Sequence, residues 1–128
     1  MKVRRYTDAD YPTVSKWWES WGWPVLPASS LPELGIIVEN EVPICAAWIY
    51  RTDSDLCWIE WFISNKEATK EQRAGCVDEL IRACSITAKE MGFRIAFVSV
   101  KQPNLMKRLE HSGFEKTDTN MTNFIGEL

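Results

Sequence analysis

A lone carboxylate, Glu60, stands inside Leu56-Cys57-Trp58-Ile59-Glu60-Trp61-Phe62-Ile63, a stretch otherwise apolar and aromatic. An ionised side chain is costly in such company unless it is paired or used, which makes Glu60 the first candidate for acid–base chemistry. By strand alternation it shares a face with Trp58 and Phe62, and apolar neighbours raise a carboxyl pKa towards the range of a general base. The plainer alternatives are a Glu paired with an arginine such as Arg94, or one facing a wet groove. Further on, Gln72-Arg73-Ala74-Gly75-Cys76-Val77 opens a long helix with small residues. The unpaired amides and dipole of a helix start favour an anion there, and Lys66, Lys70 and Arg73 stand close in sequence. The competing reading is a solvated helix start, with those cations interleaved with Glu67 and Glu71. Thr69-Lys70-Glu71-Gln72 matches a capping box, so the helix is free to begin at Lys70, which would put Gly75 inside it.

These residues need elements to hold them, and the pattern supplies a consistent set. Lys2 to Tyr6 reads as a strand; Thr7 as an N-cap before a helix from about Asp8 to Ser20, with Val14, Trp17, Trp18 and Trp21 on one face. Gly22-Trp23-Pro24 stops that helix, and Pro24, Pro27 and Pro32 make the next segment a loop. Gly35 to Glu39 and Val42 to Arg51 read as a hairpin about Asn40-Glu41, and the turn Thr52-Asp53-Ser54-Asp55 leads into the Glu60 strand as the third member of an antiparallel meander. A helix then runs to Met91-Gly92 with the stripe Val77, Leu80, Ile81, Cys84, Ala88 and Met91. Arg94 to Val100 follows without a hairpin turn and is expected parallel to the Glu60 strand. A short helix from about Asn104 to His111 and two terminal strands, Phe114 to Thr117 and Met121 to Ile125, complete the chain. The expected class is α/β in the α+β sense, a mixed, mostly antiparallel central sheet flanked by helices, in a single domain over 1–128.

Composition narrows the function. At 128 residues with 45% hydrophobic and 26% charged side chains, the chain is long enough to bury a core and is neither disordered nor fibrous. No apolar run reaches the length of a membrane span and the N-terminus lacks a signal-peptide core, so the expectation is a cytoplasmic protein with no membrane partner. The four cysteines, Cys45, Cys57, Cys76 and Cys84, have no C-x-x-C spacing; they suit reduced core thiols, and no metal site is expected. A net charge of −3 argues against a general nucleic-acid binder.

The order of elements, together with Gln72, Gly75, Val77 and Leu80, Asn104 and Gly113-Phe114, resembles the GNAT superfamily of acyl-CoA-dependent N-acyltransferases over nearly the whole chain. The Trp17-Trp18 pair, the Gly22-Trp23-Pro24 segment and the Asn-rich end also look like small acetyltransferase-like proteins of tailed phages. The family's pyrophosphate signature is Gln or Arg, two residues, Gly, one residue, Gly or Ala. Here Val77 fills the last place, and Leu109 stands where the family carries a Tyr.

What the resemblance implies is acetyl transfer from acetyl-CoA to an amine of a small molecule or peptide. It implies cofactor contacts from Phe62 and Ile63 on the splayed central strand, from Gln72, Arg73, Ala74, Gly75, Cys76 and Val77 at the helix entry, and from Asn104. Glu60 would be the base. Trp23 and Trp61 would border the acceptor groove, suiting a flat or amphipathic amine. Leu109 removes the phenol that would protonate the leaving thiolate, and His111 is a poor substitute. The rival reading is a weak or inactive GNAT-fold protein that docks on a protein partner and retains CoA binding; a homodimer is compatible with either.

Overall fold

β-branched and aromatic residues dominate 35–64, and they pair as the expected meander in a computed structural model that describes residues 1–128. β2 (Gly35–Asn40), β3 (Val42–Tyr50) and β4 (Leu56–Ser64) run antiparallel, β1 (Lys2–Arg5) adds antiparallel to β2, and β5 (Ile95–Phe97) lies parallel to β4. The result is a five-stranded mixed sheet in the order β1-β2-β3-β4-β5. No helix is long and apolar enough to cross a membrane.

Each face of the sheet buries its own core. α3 (Cys76–Glu90) lays Leu80, Cys84 and Ala88 on Ile36, Val38, Ile49, Cys57 and Ile59. α1 (Tyr11–Ser20), entered through a single 3-10 turn, lays Val14, Trp17 and Trp18 on Ile37, Trp48 and Ile63 of the opposite face. The first turn is pinned as its sequence asks: the Thr7 amide donates to Asp10 Oδ2 at 2.8 Å, and Arg4 holds the same carboxylate at 2.8 Å. Gly35 is needed for packing, because a Cβ there would lie 2.6 Å from the Trp48 indole. All four cysteines are free and buried, and burial pushes the Cys84 thiol up to about 12, so these are packing groups rather than nucleophiles.

Two expectations are corrected. The helix expected over 70–91 is two helices, α2 (Lys70–Arg73) and α3, because Ala74 is extended and Gly75 is left-handed at φ +76°. Those angles are those of a type II turn, whose third position takes glycine. The capping box does start a helix at Lys70, with reciprocal bonds of 2.9 and 3.1 Å between Thr69 and Gln72, but Gly75 lies outside both helices. The second correction is at the end of the chain. After α4 (Pro103–His111), residues 114–128 form no strand, and Met121, Phe124 and Ile125 are 74, 90 and 87% exposed. Phe114-Glu115-Lys116-Thr117 offers a single apolar side chain to a core, too little to hold a strand on the sheet.

Candidate active site

Two departures from regular sheet geometry shape the neighbourhood of Glu60. The first is that β4 pairs with β5 only from Leu56↔Ile95 to Trp58↔Phe97, while β4 itself continues to Ser64. No backbone hydrogen bond joins β4 to the chain beyond Phe97, so the sheet opens past that point. A single polar link crosses the opening, from the Ser99 amide to Glu60 Oε1 at 2.7 Å. The second is a bulge, where the register with β3 shifts between Ala46 and Trp48 and Trp61 adopts φ +62°. A non-glycine residue there is strained, and the extra residue reverses the alternation of everything after it. Phe62 therefore packs with Cys57 and Ile59 on the α3 side, whereas Ile63 joins the α1 side. The expected face of Trp58, Glu60 and Phe62 is thus corrected: Phe62 leaves it.

The bulge brings the consecutive residues Glu60 and Trp61 into one shallow cavity of about 370 Å³, wide open to solvent and lined also by Leu26, Tyr50, Trp58 and the exposed Ile125. Ser30 completes the wall: the Trp61 indole N–H donates to the Tyr50 hydroxyl at 2.7 Å, and that hydroxyl donates to the Ser30 carbonyl at 2.8 Å. Glu60 is half-buried and makes no ion pair, which overturns the alternative of an Arg94 partner. Burial raises its pKa above the ordinary carboxylate value, and the Ser99 amide draws it partly back by stabilising the anion. A carboxylate so placed can accept a proton from a group in the cavity. Tyr50 reads as packing in the sequence; its register opposite Trp58 is the signal that could have placed it here. Ser99 carries no signal at all.

Trp61 lines the cavity; Trp23 does not. Trp23 stacks on Trp21 with ring centroids 5.7 Å apart, and Trp21 donates to the Ser64 carbonyl at 2.9 Å. Lys66 lies with them, its Nζ 5.0 Å from the Trp21 ring, so it is not one of the cations at the helix entry.

At that entry the chemistry is mainly of the main chain. The Gln72 side chain is held in the capping box, and the Gln72 main-chain carbonyl accepts from Asn40 Nδ2 at 3.0 Å. Cys76 is buried and Val77 packs on the α3 core, leaving Ala74, Gly75 and the first amides of α3 on the accessible side. Lys70 and Arg73 are exposed without ion-pair partners, while both acidic residues of the first turn of α3 are paired, Asp78 with Arg108 of α4 at 2.8 Å and Glu79 with Arg82 at 3.1 Å. The donor set, amides plus free cations with both first-turn carboxylates of α3 paired, fits a diphosphate, with exposed Glu71 between Lys70 and Arg73 opposing it. Because β4, α3 and β5 form a parallel crossover, the starts of α3 and α4, with exposed Asn104 in the latter, stand at the same end as the opening beside β4. Leu109 is buried, with 6% of its surface exposed.

No protein-family model and no curated protein matches the chain in sequence. Solved structures do match it in shape. A transcriptional regulator from Bacillus halodurans C-125 superposes with a TM-score of 0.74 at 14% identity, over 97% of this chain and 99% of that one. Rv2747 from Mycobacterium tuberculosis, solved in complex with CoA, gives 0.72 at 15% identity, over 95% of this chain and 76% of that one. The aminoglycoside acetyltransferase meta-AAC0020 from an uncultured soil metagenomic sample gives 0.65 at 16% identity, over 99% and 95%. The likeness defines the class of fold: this chain has the α+β fold of GNAT-type acetyltransferases.

Proposed function

We propose that the protein is an N-acetyltransferase that uses acetyl-CoA and accepts an amine in the cavity at Glu60. The observation that carries this reading is a half-buried, unpaired carboxylate lining an aromatic cavity where β4 parts from β5. Acetyl-CoA, when bound, supplies the acetyl group as a thioester with a thiolate as leaving group. The turn and helix entry at Gln72, Arg73, Ala74, Gly75, Cys76 and Val77, with Asn104, hold its pyrophosphate. The main-chain amide of Phe62, on the edge of β4 beyond its pairing with β5, holds the thioester carbonyl, while Ile63, opposite Ala46, turns its amide to β3. A lysine-like amine has a pKa of about 10.4, so Glu60 takes its proton and leaves a neutral nitrogen to form the new C–N bond as the C–S bond breaks. Leu109 has no proton to give, so the thiolate leaves unassisted. A thiol pKa of about 8.5 makes that tolerable, at a loss of about 10²- to 10⁴-fold against an enzyme with an acid there.

Binding of acetyl-CoA is tested by thermal shift, because a ligand that binds only the folded state raises the melting temperature. Arg73→Glu should reduce the shift, whereas Arg51→Glu should not. No shift at millimolar acetyl-CoA, with no calorimetric heat, contradicts the cofactor assignment. Buried Leu109 favours a second reading, a GNAT-fold protein that binds CoA and a partner without turnover. Its signature is a full thermal shift with no CoA thiol released in the presence of any amine.

A further inference from the structure

Three aromatic side chains and one carboxylate, Tyr50, Trp58, Trp61 and Glu60, line the cavity, with no cationic residue among its walls. Two of the rings have used their polar groups inside the wall, Trp61 on the Tyr50 hydroxyl and that hydroxyl on the Ser30 carbonyl. With those groups engaged, and Trp58 packed on Phe97 with ring centroids 4.4 Å apart, what the aromatic walls offer a ligand is ring carbon, and ring faces carry negative quadrupole density. Glu60 adds a charge: Oε1 takes the Ser99 amide, Oε2 has no partner, and no ion pair in the structure includes it. A half-buried carboxylate without a counter-ion, surrounded by rings, lacks a positive charge to complete it.

We propose that this cavity binds an organic cation, an ammonium group on a compact apolar body, through the Glu60 carboxylate and the rings of Tyr50, Trp58 and Trp61. Neutral arylamines bring no charge to Glu60, and anions are repelled by it. That the bound cation is also the acetyl acceptor rests on the acyl-transfer reading; the binding itself does not.

The test uses choline and its uncharged carbon isostere, 3,3-dimethylbutan-1-ol, titrated into the full chain while the indole N–H resonances are followed by NMR. Choline has no N–H, so its binding is read apart from catalysis. Choline should move the Trp58 and Trp61 signals and bind at least about 10-fold more tightly than the isostere. Glu60→Gln, which keeps the shape, should weaken choline about 10-fold, and Trp61→Leu about 5-fold. Equal binding of choline and isostere, no response to tens of millimolar choline, or undiminished binding by Glu60→Gln would overturn the proposal. Choline binding with no acetyl transfer to any amine would remove the enzyme reading alone; acetylation of neutral arylamines with no choline binding would remove the cation site alone.

Discussion

The Ser99 amide donates to Glu60 Oε1 at 2.7 Å across the gap where β4 and β5 no longer pair. One bond thus orients the carboxylate, ties the chain after β5 to the central strand and limits how far burial can raise the Glu60 pKa.

That raised pKa has a cost in stability. The folded state disfavours the ionised form, so the penalty is absent below the unfolded carboxyl pKa, grows as pH rises through the interval up to the folded value, and stays constant above it. Glu60→Gln keeps an oxygen for the Ser99 amide and removes the charge. The variant should therefore match or exceed wild type in melting temperature at pH 7, and the difference should vanish in acid. Calorimetry across pH checks this; a variant less stable at pH 7 than in acid, relative to wild type, would contradict the buried-charge account.

Gly75→Ala should destabilise by about 1–2 kcal/mol, because φ +76° is the left-handed region that an L side chain pays to enter. Space is not the cause, since the added Cβ would meet only Met1 Cε at 3.6 Å. Urea unfolding should show it, and acetyl-CoA affinity should fall with it as the turn shifts.

Gly35→Ala tests packing instead. Its Cβ would lie 2.6 Å from the Trp48 indole and 2.8 Å from Tyr6 Cβ, so overpacking should cost about 1–3 kcal/mol, read as a lower urea midpoint.

Leu109→Tyr places a phenol in a buried site on α4. With Leu109 only 6% exposed, the expected outcome is a destabilisation of about 1–3 kcal/mol with no gain in turnover. A stable variant with faster turnover would show that thiolate protonation limits the wild type.

The meander of β2, β3 and β4 was legible because alternation and turn residues are local signals, and the parallel placement of β5 followed from the absence of a hairpin turn before it. Glu60 was legible because a charge in an apolar strand stands out. The bulge at Trp61 was not, since it is set by the partner strand rather than by Trp61's own propensity, and it moved Phe62 to the other face. The break at Ala74-Gly75 was hidden by a capping box and an apolar stripe that each favour helix. Met121 to Ile125 has strand-like residues but stays unpaired although β5 has a free edge, which no local pattern reports.

The central claim is that Glu60 is the base of an acetyl transfer. Its most direct test is the steady-state release of CoA thiol from saturating acetyl-CoA with a primary alkylammonium acceptor, in wild type and Glu60→Gln across pH. Wild type should show an acidic limb with its midpoint above the ordinary carboxylate pKa, the rate rising as Glu60 deprotonates. Glu60→Gln should lose that limb and about 10²- to 10⁴-fold in kcat while its acetyl-CoA thermal shift stays that of wild type. Equal kcat values and the same limb in both proteins would contradict the account.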